Sequence, residues 1–115
     1  MTYVDGFVVA VPSDKKEAYI EQARKALPVF KEYGALRMVE TWGDDVPEGK
    51  LTDFRMAVKA EPGETVVFSW IEWPDKATRD AGMQKMMTDD RMSMEGMVFD
   101  GKRMIFGGFA VILDA

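Results

Sequence analysis

Four runs of β-branched and aromatic residues, two of them leading directly into a helix-period stripe, restrict the folds open to this chain more than any other feature. Residues 3–11 (YVDGFVVAV) read as the first strand, closed by Pro12, which has no N–H for the ladder. Ser13 is placed to cap a helix, with Asp14 and Glu17 favourable near its positive end. Tyr19, Ala23, Ala26, Leu27 and Phe30 recur at helical spacing as its apolar stripe. Pro28 falls inside that stripe and predicts a kink or an early end, while Gly34 is a plausible stop. Residues 35–43 (ALRMVETWG) form the second strand and 44–50 a turn-rich loop. Segment 51–60 stays open: Phe54, Met56, Val58 and Ala60 alternate as in a strand, whereas a Thr52-Asp53 start suits a helix.

Residues 61–64 form a turn, and 65–73 (TVVFSWIEW) are the clearest strand. Asp75 can cap a second helix to about residue 89, with Ala77, Ala81, Met83, Met86 and Met87 apolar and Gly82 a weak point. A Met-rich connection, 90–101, leads to a last strand, 102–113, where Gly107-Gly108 predicts a bulge or a close backbone approach. The order β-α-β, connection, β-α-β is the split-βαβ or ferredoxin-like arrangement. It is an α+β fold with a four-stranded antiparallel sheet and two helices on one face. At 115 residues and 13.0 kDa the chain has room for one such domain, 1–115.

A sheet with water on one face should alternate apolar and polar residues. Here only Ser69 and Glu72 are polar between Val66 and Trp73, and only Asp5 is charged in the first strand. Two helices cover one face, so a second copy of the chain is the simplest cover for the other, and a homodimer is expected. Within each strand Asp5 shares a face with Tyr3 and Phe7, Glu40 with Met38 and Trp42, and Glu72 with Phe68 and Trp70. Val4, Gly6, Val8 and Ala10 suit the helix-packed face. The helix-distant face is then a concave aromatic surface holding Asp5, Glu40 and Glu72, as a ligand pocket would be. The competing expectation pairs these acids with Arg37, Arg55, Arg79 or Arg103 and gives them no further role.

The chain has no His and no Cys. That excludes imidazole bases, Ser-His-Asp and Cys-His nucleophiles, imidazole-ligated haem, thiolate or imidazole zinc, and disulfides. No cofactor and no metal are expected. With 15 basic and 20 acidic residues interspersed, nucleic acid is not an expected partner. No apolar run approaches a membrane span and residues 1–14 lack a basic leader, so no membrane partner and a cytoplasmic location are expected.

The words YVDGFVVAVP, KEYGALRMVETWGDDVP, TDFRMAVKAE, TVVFSWIEWPDKATRD, KMMTDDRM and FDGKRMIFGGF together resemble the YbaA-like family of uncharacterised bacterial proteins, a domain-of-unknown-function family. The resemblance runs from Tyr3 to about Phe109. It implies a dimeric α/β-barrel, two ferredoxin-like sheets face to face, and it implies no activity.

Trp42-Gly43-Asp44-Asp45 is better read as a solvated turn than a cation site, because two acids fall short of the ligands Ca²⁺ or Mg²⁺ needs. Met83, Met86, Met87, Met92, Met94 and Met97 admit a Cu(I) reading, but core filling is preferred. Arg55 and Lys59 suit either an anionic substrate or surface pairs with Asp44, Asp45 or Glu61. The leading expectation is a protein that binds an apolar or aromatic small molecule between sheet and dimer partner, using Trp42, Trp70, Phe68, Tyr3 and Arg55. One alternative is a cofactor-independent oxygenase or isomerase with Glu72, Glu40 or Asp5 as its base. Another is an interaction scaffold without chemistry.

Overall fold

The computed structural model describes residues 2–92 and 96–115. In chain order it contains β1 (Tyr3–Pro12), α1 (Lys16–Glu32), β2 (Arg37–Trp42), α2 (Phe54–Ala57), β3 (Glu64–Trp73), α3 (Lys76–Met86) and β4 (Ile105–Ala110). The strands form one antiparallel sheet in the order β2-β3-β1-β4, so the expected α+β, ferredoxin-like arrangement is present. Met94 lies outside the described residues.

One face of the sheet packs on α1 and α3. Its core joins Val29, Phe30, Ala35, Ile71, Trp73 and Met86, and a second cluster joins Val9, Val11, Tyr19 and Val67. α1 continues past Pro28 to Glu32 instead of ending there. Pro28 is exposed, while Val29 and Phe30 beside it are buried and hold the last turn against the sheet. Gly34 does end the excursion, at φ +110, with its N–H donating to the Lys31 carbonyl. Ser13 does not cap the helix. Residues Ser13–Lys15 form a 3₁₀ turn, and the Ser13 hydroxyl bonds Thr65 instead, at 2.7 Å.

Segment 51–60 holds one short helical turn, α2, and no strand: the Asp53 carboxylate caps it by accepting from the Met56 N–H (2.6 Å) and also holds the Gly49 N–H of the preceding loop (2.9 Å). It lies on the opposite face from α1 and α3. Val58 and Ala60 there bury Val8, Ala10 and Val66. The chain thus covers one end of its own second face.

Asp75 caps α3 as expected, accepting from the Thr78 N–H at 2.7 Å. The apolar side of that helix differs from the sequence reading: Ala77, Ala81 and Met87 are exposed, and Gly82 and Met86 are buried. Gly82 is a contact point and not a weak point. A Cβ there would lie 2.9 Å from Trp73 Cζ3 and 2.9 Å from the Tyr33 carbonyl oxygen. Gly108 is likewise a close approach, its added Cβ falling 2.5 Å from the Tyr3 hydroxyl. The β1–β4 register runs without a bulge.

Candidate functional site

Register decides which residues meet, and it separates those the sequence placed together. Asp5 pairs with Ile71, Glu40 with Ser69 and Trp73 with Tyr3, all on the helix-covered face. Glu72 pairs with Arg37 and Val4, and Trp70 with Val39 and Gly6, on the other. The expected convergence of Trp42, Trp70, Glu40, Glu72 and Asp5 on one helix-distant cavity is therefore overturned. Val4, Gly6, Val8 and Ala10 face away from α1 and α3, not toward them. Period-2 reasoning groups residues within a strand, but a one-residue offset between strands inverts the grouping across the sheet.

Asp5 is 2% exposed and fully engaged. Arg79 Nη2 donates to Oδ1 at 2.7 Å, Arg79 Nε reaches both oxygens at 3.1 Å, and Trp73 Nε1 donates to Oδ2 at 2.9 Å. The Arg79 guanidinium also stacks over the Tyr3 ring, 5.2 Å from its centroid. Asp5 and Tyr3 thus belong to a structural ion-pair cluster.

Glu72 accepts from its strand neighbour Trp70 Nε1 at 2.9 Å and lies 3.6 Å from Arg37 Nε. With Phe68, Phe109, Val4 and the tail residue Leu113 they line an open trough of about 760 Å³. Arg55 is spent elsewhere. It donates to the carbonyls of Glu64 (2.7 Å) and Glu61 (3.0 Å), so its partners are backbone oxygens and not the expected surface acids.

Glu40 has a different setting. On edge strand β2 the residue as a whole is exposed, but its carboxyl turns in to the space between sheet and α1, where the buried Tyr19 hydroxyl donates to Oε1 at 2.6 Å. Burial, the largest influence, raises the Glu40 pKa, against the hydroxyls of Tyr19 and Ser69, which lower it. The Tyr19 pKa is raised far above the ordinary phenol value, by burial first and by the Glu40 charge second, so the phenol keeps its proton.

The pair lies in the wall of a partly open cavity of about 230 Å³ between α1, the sheet and the connection before β4. The rest of that wall is mostly Phe, Met, Val, Ile and Ala. The space exists because α1 presents Ala23 and Ala26 to it, where larger side chains would fill it. Trp42 stays at the edge of this face, with Lys16 Nζ 5.7 Å from its ring centroid. Sequence reasoning found Glu40 and missed Tyr19, Ser69, Gln22 and Phe99. The available signal was Tyr19, Ala23, Ala26 and Phe30, a helical stripe with small residues at its centre. Among the described residues no group of three or more Asp or Glu comes together to hold a metal, and no helix is long and apolar enough to cross a membrane.

Fold and cavity together define a small α+β protein of ferredoxin-like architecture with an apolar pocket under its first helix. The chain belongs to the family described as protein of unknown function (DUF1428), whose model matches residues 2–101. It is 69% identical over 116 residues to the uncharacterized protein YbaA of Escherichia coli K12, covering 99% of each chain, and equally to YbaA of Shigella flexneri. Among solved structures it is similar to a dimeric ferredoxin-like protein from an uncultured marine organism. There the TM-score is 0.62, the sequence identity 13% and the coverage 100% of both chains, a likeness of fold.

Proposed function

We propose that the protein binds an apolar or aromatic small molecule in the cavity between α1 and the sheet, with Glu40 as the polar group that orients it. The observation that carries this reading is the Tyr19–Glu40 hydrogen bond set in a mostly apolar wall. Turning a carboxylate toward a mostly apolar space costs free energy unless polar partners meet it there. Of the three acids singled out by the sequence, Asp5 is neutralised by Arg79 and Glu72 is engaged by Trp70 in the trough. Glu40 alone of the three lines the cavity. A concave apolar site with one or two placed polar groups is what ligand binding requires.

A second reading, a cofactor-independent isomerase or oxygenase, is favoured by the upward shift of the Glu40 pKa. A carboxyl moved toward neutral pH is a better base for a proton on a bound substrate.

The open trough has a different use. The chain exposes 7863 Å², whereas a folded monomer of this mass exposes roughly 6,300 Å². Phe68, Phe109 and Leu113 are among the large apolar residues left outside. A second copy of the chain, sheet against sheet, is the cover we propose, and the dimeric fold relative supports it. A cytoplasmic location fits a chain without cysteine.

Titration with a panel of small neutral arenes, followed by NMR, tests the cavity. The wild type should bind at least one of them, and Ala23→Leu, which fills the space, should weaken that binding at least about ten-fold while folding normally. A panel without a binder, or binding indifferent to Ala23→Leu, contradicts the reading.

A further inference from the structure

We infer that the cavity under α1 selects a one- or two-ring aromatic molecule that carries an O–H or N–H donor and no negative charge. This deepens the binding reading above and rests on it.

The argument begins with the polar inventory of the wall. Among the described lining residues there is no Lys and no Arg, and Glu40 is the one ionisable carboxyl. An anionic ligand would meet a carboxylate and no compensating cation.

The donors in the wall are already committed. The Tyr19 hydroxyl donates to Glu40 Oε1 at 2.6 Å. The Gln22 side-chain amide donates to the Gly96 carbonyl at 2.8 Å, and its oxygen faces the Val98 N–H at 3.4 Å, so Gln22 tethers the connection over the cavity. Ser69 stands opposite Glu40 in the ladder, and its hydroxyl acts on both Tyr19 and Glu40. A carboxylate offers about four acceptor sites on its two oxygens, and the Tyr19 and Ser69 hydroxyls leave some of them open. What the wall offers a guest is an acceptor, and the guest must bring the proton.

Shape and surface chemistry narrow the class. About 230 Å³ lies below the usual range for drug-sized ligands, roughly 300–1,000 Å³. Met38, Met92, Met97 and Met104 bring thioethers to the wall, and Phe7, Phe30 and Phe99 bring rings. Thioether sulfur favours contact with aromatic ring edges, and the Phe rings offer offset or edge-to-face packing. A flat ring uses both. Phenols, indoles and neutral arylamines have this chemistry.

Indole, indene and indole-2-carboxylate separate the terms. Indene keeps the two-ring shape and lacks the N–H, and the carboxylate adds negative charge. By calorimetric titration of the full chain, indole should bind at least about ten-fold tighter than indene, the value of one charge-assisted hydrogen bond. Indole-2-carboxylate should bind more weakly than either. In Glu40→Leu the indole preference should vanish, with indene binding retained. In Glu40→Gln, which keeps an acceptor and the shape, the preference should persist while the penalty on the carboxylate falls. Indene binding as tightly as indole, or the carboxylate binding tightest, would overturn this inference and leave the cavity reading standing. If neither indole nor indene binds, or if Ala23→Leu binds both as the wild type does, the cavity reading itself fails.

Discussion

Burial and charge assign single residues their work here. Asp5 is held by Arg79 and Trp73 with almost no exposure. Asp5→Asn leaves Arg79 without its counter-charge. It should cost about 3 kcal/mol, read as a fall of more than about 10 °C in melting temperature. An unchanged melting temperature would show that the cluster does not stabilise the fold. Glu64 makes a contrasting case. Two charge-assisted bonds from Arg103, at 2.8 and 2.9 Å, are the main reason its pKa is lowered from 4.5 to about 2. Because the folded-state value is depressed, the stabilisation is complete above about pH 4.5 and is lost as pH falls toward 2. Acid titrations of the wild type and Arg103→Met should differ at neutral pH and converge near pH 2, and parallel curves throughout would contradict this account. The three acids were legible in the sequence as anomalies, because each interrupts an apolar strand. Their different fates were not, since Arg79 reaches Asp5 from 74 residues away and Tyr19 reaches Glu40 from a separate helix.

At the scale of elements, the strands were readable from β-branched runs, α1 from its apolar stripe and α3 from its Asp75 cap. The errors came where packing overrode a local rule. Pro28 sits within α1 because burial of Val29 and Phe30 outweighs one lost hydrogen bond. Within segment 51–60 a helical turn over Phe54–Ala57 won over a strand because the Asp53 side chain caps it and ties down the loop before it. α3 turns a glycine inward, and that choice is testable. By helix propensity alone Gly82→Ala should stabilise by up to about 1 kcal/mol. The contacts at 2.9 Å to Trp73 and to the Tyr33 carbonyl reverse the sign. Chemical denaturation should show a loss of about 1–3 kcal/mol, as overpacking does. A gain would mean that α3 does not press closely on Trp73.

The whole molecule is a flat body of 38 × 35 × 21 Å, with α1 and α3 on one side and α2 on part of the other. That both faces need cover was legible from strands with so few polar residues. Which acid lay on which face was not, because register between strands is set by the assembled sheet and is invisible within any one of them. The uncovered trough predicts self-association. Light scattering at micromolar concentration should give about 26 kDa, twice the 13.0 kDa chain mass, and Phe109→Lys should shift the population toward monomer. A wild type that stays at 13.0 kDa would contradict the dimer. The central claim is that ligand occupies the space under α1 and not the trough, and the methionine methyl groups report on it directly. On titration with indole, the methyl NMR signals of Met38, Met92, Met97 and Met104, all in the cavity wall, should move together and saturate, while those of the exposed Met56 and Met87 stay in place. If those four stay fixed while the indole signal of Trp70 in the trough shifts, the site lies on the other face of the sheet and the account is wrong.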